Sequence, residues 1–348
     1  MNETVLVTGG AGFIGSYIVA KLVEQGCKVV IFDYVPPNGE TKWLLSRLQS
    51  KPIFVKGDIT DHASIIYTAK TYEVENIIHT AALTDVNLLL NDPIQSLKIN
   101  ALGSVNVLET ARILGLRKVI LTSSIAVYAP KQYEPMDELH PVLLPNQGPA
   151  LTSYSSTKLA AEAFAMFYWA DHGLDVLSLR FSGVYGFGMK YPLYIKPILE
   201  NALNGIPTHI ESGGDAKRDF VYVKDVANAV FKAFGADGAK LESRIFNIAH
   251  GGPLLDVFHL AEEVRAQIKG TDIFVGSGLS ESEAKIERSR GQLSIVRAAK
   301  ELGYKPEFDL AKGIKDYVRL FRDYGQYVEG GDRSESCNSH GETANYDI

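Results

Sequence analysis

Residues Val5–Gly15 read Val-Leu-Val-Thr-Gly-Gly-Ala-Gly-Phe-Ile-Gly. Three apolar β-formers run into a glycine-rich turn. Beyond it, Ile14, Ile18, Val19, Leu22 and Val23 fall at the spacing of an amphipathic helix. Gly26 follows where a helix end favours a left-handed residue. A second apolar run, Val29–Phe32, ends on Asp33. Strand, glycine turn, helix, strand and acid form the order of a dinucleotide-binding unit. Gly9 serves the tight turn, Gly12 lets backbone N–H groups approach a pyrophosphate, and Gly15 lets helix and strand pack closely. Phe13 and Ile14 open the helix, whose N-terminus turns the positive end of its dipole to the phosphates. Asp33, 18 positions after Gly15, is placed to accept the ribose hydroxyls of NAD. Its carboxylate would repel a 2′-phosphate, and Tyr34, Val35 and two prolines follow it rather than Arg or Lys. NAD is therefore expected over NADP.

Outward from this stretch, strand and helix patterns alternate, which calls for an α/β, Rossmann-type doubly wound parallel sheet. Ile53–Val55 reads as a third strand ending in Gly57-Asp58-Ile59, and Asp61 as the N-cap of a helix to about Thr71. Ile77–Ala81 is a fourth strand. Asp92-Pro93 reads as N-cap and N1 of a long helix closed by Gly115. Val119–Ser123 is the fifth strand, Tyr154–Asp171 a long helix ended by Gly173, and Val176–Arg180 the sixth strand. After Gly183 strands become isolated: Phe220–Val223, Ile245–Ile248 and Ile273–Val275. Helices are expected over Ile195–Asn204, from Asp225, and over Leu255–Ile268, Ile295–Leu302 and Leu310–Tyr324. The expected organisation is a NAD-binding domain over residues 1–182, with strand and helix exchange to the C-terminal part. A smaller, irregular substrate-binding lobe would span 183–328. Residues 329–348, rich in Gly, Ser, Asn, Asp and Glu, are expected to be a disordered tail.

The chain has 348 residues, 46% hydrophobic and 22% charged, ordinary for a globular protein. A formal charge of −6 argues against binding to nucleic acid or an anionic membrane. No apolar run approaches the roughly 18–20 residues of a membrane span. Met-Asn-Glu-Thr enters the first strand at once, so no signal peptide and a cytoplasmic location are expected. Cys27 and Cys337 are read as free thiols. They cannot supply a zinc cysteine cluster, and no His-x-x-x-His pair occurs, so no metal is expected.

Tyr154 and Lys158 are four apart on a helix and project from one face. Ser124 follows the fifth strand, at a carboxyl end where ligands bind in such sheets. Hydride transfer from a secondary alcohol needs what these three offer. A phenol near its usual pKa of about 10 is a poor base at neutral pH. A nearby ammonium such as Lys158 is expected to lower it, and also to reach the cofactor ribose. Ser124 would hold the substrate oxygen and stabilise developing charge. Each residue also has a plainer reading: a surface pair for Tyr154 and Lys158, and a strand-end cap for Ser124. His79 is read as a hydrogen-bonded core histidine, and Thr84 and Asp85 as a polar loop pair. Phe164, Phe167, Tyr168 and Trp169 are read as helix packing or dimer contact.

The sequence resembles the extended short-chain dehydrogenase/reductase superfamily, in its NAD-dependent sugar epimerase/dehydratase family, over residues 3–325. The resemblance rests on Thr8–Gly15, Gly57-Asp58-Ile59, His79-Thr-Ala-Ala82, Asn100 and Ser123-Ser-Ile-Ala-Val-Tyr128. It continues through Tyr154-Ser-Ser-Thr-Lys158, Leu179-Arg-Phe-Ser-Gly-Val-Tyr-Gly186 and Arg218-Asp-Phe-Val-Tyr-Val-Lys-Asp225. It implies Ser124, Tyr154 and Lys158 as a catalytic triad, Asp58 and Ile59 at the adenine, and Ala81 and Ala82 along the cofactor. It further implies Asn100 as a helix residue supporting the site, and a homodimer through the long helices after the fourth and fifth strands.

Departures from the family pattern narrow the chemistry. Family dehydratases carry an Asp-Glu pair where Ile125 and Ala126 stand, and decarboxylating members carry Glu at Ala126, so neither elimination nor decarboxylation is expected. Gly183 replaces an Asn that contacts a substrate diphosphate. Ser294 stands near a usual Asp, and Ala129 at a usual Gly. Arg218 matches a position that clamps the diphosphate, which suits planar, bidentate recognition; an ion pair with Asp219 is its plainer reading. Arg288 and Arg290 are further candidates for the same anion, and Thr84 for the sugar. Three functions remain. One is an NAD-dependent epimerase acting by transient oxidation of a secondary alcohol, on a sugar expected to be nucleotide-linked. Another is a net dehydrogenase or ketoreductase on a non-nucleotide sugar or polyol. The last is a silent NAD-binding regulator.

Overall fold

In the computed structural model, residues 3–147, 153–190 and 193–330 are described. Val5 and Val7 point to one side of their strand and Leu6 to the other, and all three are fully buried. A strand apolar on both faces must lie inside a sheet covered by helices on both sides. This strand, β1 (Thr4–Thr8), pairs in parallel with β2 (Lys28–Asp33) and β4 (Asn76–His79). Beyond them come β3 (Ile53–Lys56), β5 (Lys118–Ser124), β6 (Val176–Phe181) and, from the C-terminal part, β10 (Ile245–Ile248). The seven-stranded order is β10-β6-β5-β4-β1-β2-β3, parallel throughout. Two small parallel pairs lie outside it: β7 (Gly183–Tyr185) with β9 (Phe220–Tyr222), and β8 (Thr208–Ile210) with β11 (Ile273–Val275).

The chain winds from β1 outward to β3, then returns to β4 and moves the other way. The order reverses between β1 and β4, and the crevice above their carboxyl ends is where such sheets bind ligands. The helices are α1 (Phe13–Glu24), α2 (Gly39–Ser46), α3 (His62–Thr71), α4 (Val86–Asn91), α5 (Pro93–Ser96), α6 (Gly103–Leu114) and α7 (Ser153–His172). There follow α8 (Ile195–Leu203), α9 (Val223–Gly235), α10 (Val257–Gln267), α11 (Glu281–Ser289), α12 (Val296–Leu302) and α13 (Leu310–Gly330). Leu6, Val30, Ile77, Val119 and Val176 pack towards one helical layer, with Val107, Leu108 and Ala161. Val5, Val29, Ile78, Ile120 and Leu177 pack towards the other, which holds α1, α9 and the C-terminal helices.

Several local signals work as physics requires. Asp61 caps α3, its carboxylate accepting from Ser64 N at 3.2 Å. Asp92 caps α5, accepting from Gln95 N at 2.9 Å, with Pro93 at the first helical position. The long helix expected after Pro93 does run to Leu114, but Leu97–Leu102 within it is a π-helical turn. Patterns of apolar residues do not register such a wide turn. Helices α2, α4 and α11 and strands β7 and β8 were also not legible. Each is short, and the two strands pair with segments remote in sequence, β9 and β11. Helix α13 extends past Tyr324 to Gly330, so Glu329 and Gly330 end a helix rather than begin a tail; the remainder of the expected tail, with Cys337, lies outside the described residues. Among the described residues no helix is long and apolar enough to cross a membrane.

Gly15 makes the tightest contact of the first turn. A Cβ there would lie 2.1 Å from the Gly9 carbonyl oxygen and 2.8 Å from Gly10 Cα. Backbone cannot yield as a flexible side chain can. Gly15→Ala should therefore cost about 1–3 kcal/mol of stability and displace the turn. A melting midpoint lowered by several degrees, with loss of co-purifying NAD, is the expected outcome of calorimetry and cofactor assay.

Candidate active site

The glycine turn forms a cradle. Gly9 adopts a φ of +71°, and a Cβ on it would come within 2.5 Å of Ala81 N. Gly12 is the N-cap of α1 and offers no side chain to cap the helix; a Cβ there would sit 3.2 Å from the Gly9 oxygen. The first turn of α1 thus presents bare amides at the β1–β4 crevice, as a pyrophosphate requires. Asp33, at the end of β2, accepts from Ala11 N at 3.0 Å and from Val35 N at 3.4 Å. Burial pushes its carboxyl up, and those backbone donors pull it back. Asp58 bends the chain after β3, its Oδ1 accepting from Thr60 N and Thr60 Oγ1, each at 2.8 Å. Ile59 is buried against Gly103, and its carbonyl accepts from Asn106 Nδ2 at 2.9 Å. Ala81 and Ala82 follow β4 directly. These groups fit a dinucleotide with a free ribose 2′-hydroxyl.

Behind the crevice, buried polar side chains tie strands to helices. His79 Nδ1 lies 2.7 Å from Thr8 Oγ1, and its Nε2 2.9 Å from Ser104 Oγ. Burial, helped by the charge of Lys158, lowers the imidazole to about 3, so it stays neutral. Asn100 sits in the π-helical turn and is fully buried. Its Oδ1 accepts from Leu83 N at 2.7 Å, while its Nδ2 donates to Leu83 O at 3.1 Å and Thr157 Oγ1 at 3.3 Å. Asn100 therefore fixes the backbone beside Ala82 and Thr84 to the helix carrying Tyr154 and Lys158. Thr84 itself is exposed, and Asp85 caps α4 by accepting from Leu88 N at 3.0 Å.

Ser124 ends β5 and caps the short 3-10 turn Ile125–Val127, its Oγ accepting from Ala126 N at 3.2 Å. The same hydroxyl is one of the groups that pull the Tyr154 phenol down. Ile125 and Ala126 are buried and bring no acid to this turn. Lys158 Nζ donates to the Thr122 carbonyl at 2.9 Å and stands 5.9 Å from the centre of the Tyr154 ring. The structure thus gathers Ser124, Tyr154 and Lys158 at the end of β5. One electrostatic expectation needs correction. Burial holds the Tyr154 phenol above its ordinary value, and the groups pulling it down are Ser124 and Arg290. Lys158 is itself lowered to about 8 by burial, with Glu162 opposing.

The anion candidates separate. Arg218 does not turn to Asp219. Its Nη1 donates to the Lys217 carbonyl at 2.8 Å, and its guanidinium lies 5.9 Å from the centre of the Tyr194 ring. Arg288 is exposed on the last turn of α11, whereas the charge of Arg290 reaches Tyr154. Gly183 lies in β7 and donates its N–H to the Asp219 carbonyl at 2.9 Å. A Cβ there would meet that oxygen at 3.0 Å, so this backbone resists the Asn that the family resemblance implies at the position. Ser294 enters through its backbone, donating to Met136 O at 2.8 Å, and Ala129 is fully buried.

Over Val5–Ala249 the chain matches the model of the NAD dependent epimerase/dehydratase family. The chain belongs to this family. It is 33% identical to the UDP-glucose 4-epimerase of Mycolicibacterium smegmatis over 92% of its own length and 99% of the relative's. Its fold matches the UDP-glucose 4-epimerase of Thermotoga maritima, solved with UDP-glucose, at a TM-score of 0.77 and 26% identity over 92% and 99% of the two chains. It matches the Thermus thermophilus UDP-glucose 4-epimerase, solved with NAD, at 0.73 and 26% over the same shares. NAD is the cofactor of this family, in agreement with the free ribose end at Asp33.

Two ionisable residues of the site escaped sequence reasoning. Glu162, four residues after Lys158, had a signal in that spacing. Asp219 had none, because its burial comes from remote segments. Its carboxylate accepts from Leu293 N at 2.8 Å, and burial pushes it up to about 7, with Leu293, Ser182 and His250 pulling the other way. A carboxyl raised in the folded state stabilises most below its unfolded pKa of about 4, and that contribution is lost as pH rises through about 7. Asp219→Asn keeps an oxygen for Leu293 N–H. It should flatten the fall in stability between about pH 4 and 8, read as denaturation midpoints across that range; an unchanged slope would remove Asp219 as its source.

Proposed function

We propose that this protein is an NAD-dependent 4-epimerase of a nucleotide-linked hexose, acting through transient oxidation of a secondary alcohol. The observation that carries this reading is the meeting of Ser124, Tyr154 and Lys158 beside the glycine cradle, on a turn whose Ile125 and Ala126 offer no acid for elimination. The UDP-sugar activity of the relatives supports a uridine diphosphate sugar as substrate. Gly9, Gly12, Phe13, Ile14, Gly15, Asp33, Asp58, Ile59, Ala81 and Ala82 would line the cofactor, with Tyr154 and Lys158 at its reactive end and Asn100 supporting the site. Residues 1–182 form the cofactor-binding part, completed by α9 and β10. The rest of 183–328 forms the substrate lobe, where Arg218 meets the diphosphate; Arg290 is better placed than Arg288 to assist.

The chemistry that NAD supplies when bound is reversible acceptance of a hydride. Tyr154 Oη takes the proton of the substrate hydroxyl and holds it until the reverse step returns it. Burial opposes the phenolate this requires. The Ser124 hydroxyl and the charge of Arg290 favour it, with the Lys158 ammonium held 5.9 Å from the ring centre. Ser124 Oγ also orients the substrate oxygen.

Retained NAD, with UDP-glucose and UDP-galactose interconverting by NMR and no net growth of the nicotinamide absorbance, is the expected result on purified protein. Stoichiometric NADH with a keto product would instead establish net dehydrogenation. Tyr154→Phe should lower kcat by about 10²–10⁴-fold while NAD stays bound. Because Lys158 is held near 8 and acts as a cation, activity should decline as pH rises above that value.

A homodimer and a cytoplasmic location complete the proposal. Leu97 and Leu102 on the π-helical turn, and Phe164 and Phe167 on α7, are each about half exposed. These helices are the ones expected to form a four-helix interface, and burial of such apolar side chains stabilises association. Leu97→Glu with Phe164→Glu should convert the dimer to monomer in sedimentation velocity; a wild-type chain that is already monomeric would end this part of the proposal.

A further inference from the structure

Tyr154, Lys158 and Glu162 recur at four-residue intervals on α7 and form one stripe along the helix. The first two belong to the proposed catalytic set. The third has a side chain only 2% exposed, and its partner Arg180, on β6, is 4% exposed. The pair is bidentate, with Nε donating to Oε1 at 3.0 Å and Nη2 to Oε2 at 2.6 Å. The Arg180 guanidinium lies 4.6 Å from the centre of the Tyr128 ring. In register, Arg180 stands opposite Ser123, between Thr122, whose carbonyl holds Lys158, and Ser124. The clamp therefore grips the sheet at the level where the catalytic groups are attached.

A buried ion pair is weak evidence of stability, since apolar side chains of similar volume often serve as well. Its place beneath a lysine that must stay charged in a dry site calls for another reason. The ionisable groups facing Lys158 can be named. Tyr154 and Glu162 share its helix, and His79, on β4, feels its charge; Arg180, from β6, bonds Glu162, and its guanidinium lies over Tyr128, from the turn after β5. His79 is neutral, and Arg180 is a cation that supplies Glu162 with the donors and countercharge a buried carboxylate needs. Among the described residues, Glu162 is the group whose charge favours the Lys158 ammonium against burial.

We propose that Glu162, clamped by Arg180, is a positioning residue that keeps Lys158 charged and at fixed height beside Tyr154, so that this pair sets the alkaline limit of catalysis. The inference rests on the reading of Lys158 as the cationic partner of Tyr154. Loss of the carboxylate removes the charge that favours the Lys158 ammonium against burial.

The test is the alkaline limb of kcat/KM for epimerisation by the NAD-loaded enzyme, with melting curves to verify folding. Glu162→Gln should move the limb down by about one pH unit, and Glu162→Asp should return it towards the wild-type position. Arg180→Gln, which removes the countercharge that keeps buried Glu162 ionised, should move it down as well. A folded Glu162→Gln whose limb stays in place overturns the proposal. Should that variant fail to fold, an unmoved limb in a folded Arg180→Gln overturns it equally. Undiminished kcat/KM in Lys158→Met would instead sink the reading of the site on which the inference rests.

Discussion

The glycine turn lies so close to its surroundings that side chains have no room there. Gly9 leaves no room for a Cβ against Ala81, and Gly15 none against Gly9. Two consequences follow from this one steric fact. Strands β1 and β4 end side by side at the point where the sheet reverses direction, and α1 begins with its amides at the floor of that crevice. Ser124 lies one strand further along, at the end of β5, and α7 leans on β5 through Lys158. A cofactor in the crevice is thereby brought beside the proton-transfer groups without any of them being adjacent in sequence.

Polar side chains in the core follow the same logic. His79, Thr8, Ser104, Asn100 and Thr157 are all buried, and each finds a partner across an element boundary. Buried polar groups cost free energy unless they are paired, so such groups hold their elements in one arrangement rather than several. Here they join the cofactor strands to α6 and α7. Rigid attachment matters for the proposed proton transfer, because hydrogen bonds are lost over less than an ångström of displacement.

Polar residues on the cleft side are less fully paired with one another. Arg218 rests on a backbone carbonyl and a tyrosine ring rather than on Asp219. Asp219 instead fastens Leu293, and hence the segment after α11, to the strand pair formed by β7 and β9. The buried turn at Ile125 and Ala126 carries no acid. Under the proposed function, substrate recognition and reaction type are thus separable: the guanidinium groups would read an anion, while the acid-free turn would restrict what can happen to the sugar.

The sequence by itself determined the cofactor unit, the parallel order of the first six strands, the helix caps at Asp61 and Asp92, and the pairing of Tyr154 with Lys158. Each depends on spacing within a few residues, where the periods of helix and strand and the chemistry of glycine and proline act directly. Tertiary structure alone decided that Ile245–Ile248 joins the main sheet, that Asn100 occupies a wide helical turn, and that Lys158 bonds to Thr122. It also decided that Asp219 loses its water and that Glu162 finds Arg180. These depend on contacts between segments far apart in the chain, and desolvation and cross-element hydrogen bonds exist only once those segments have packed.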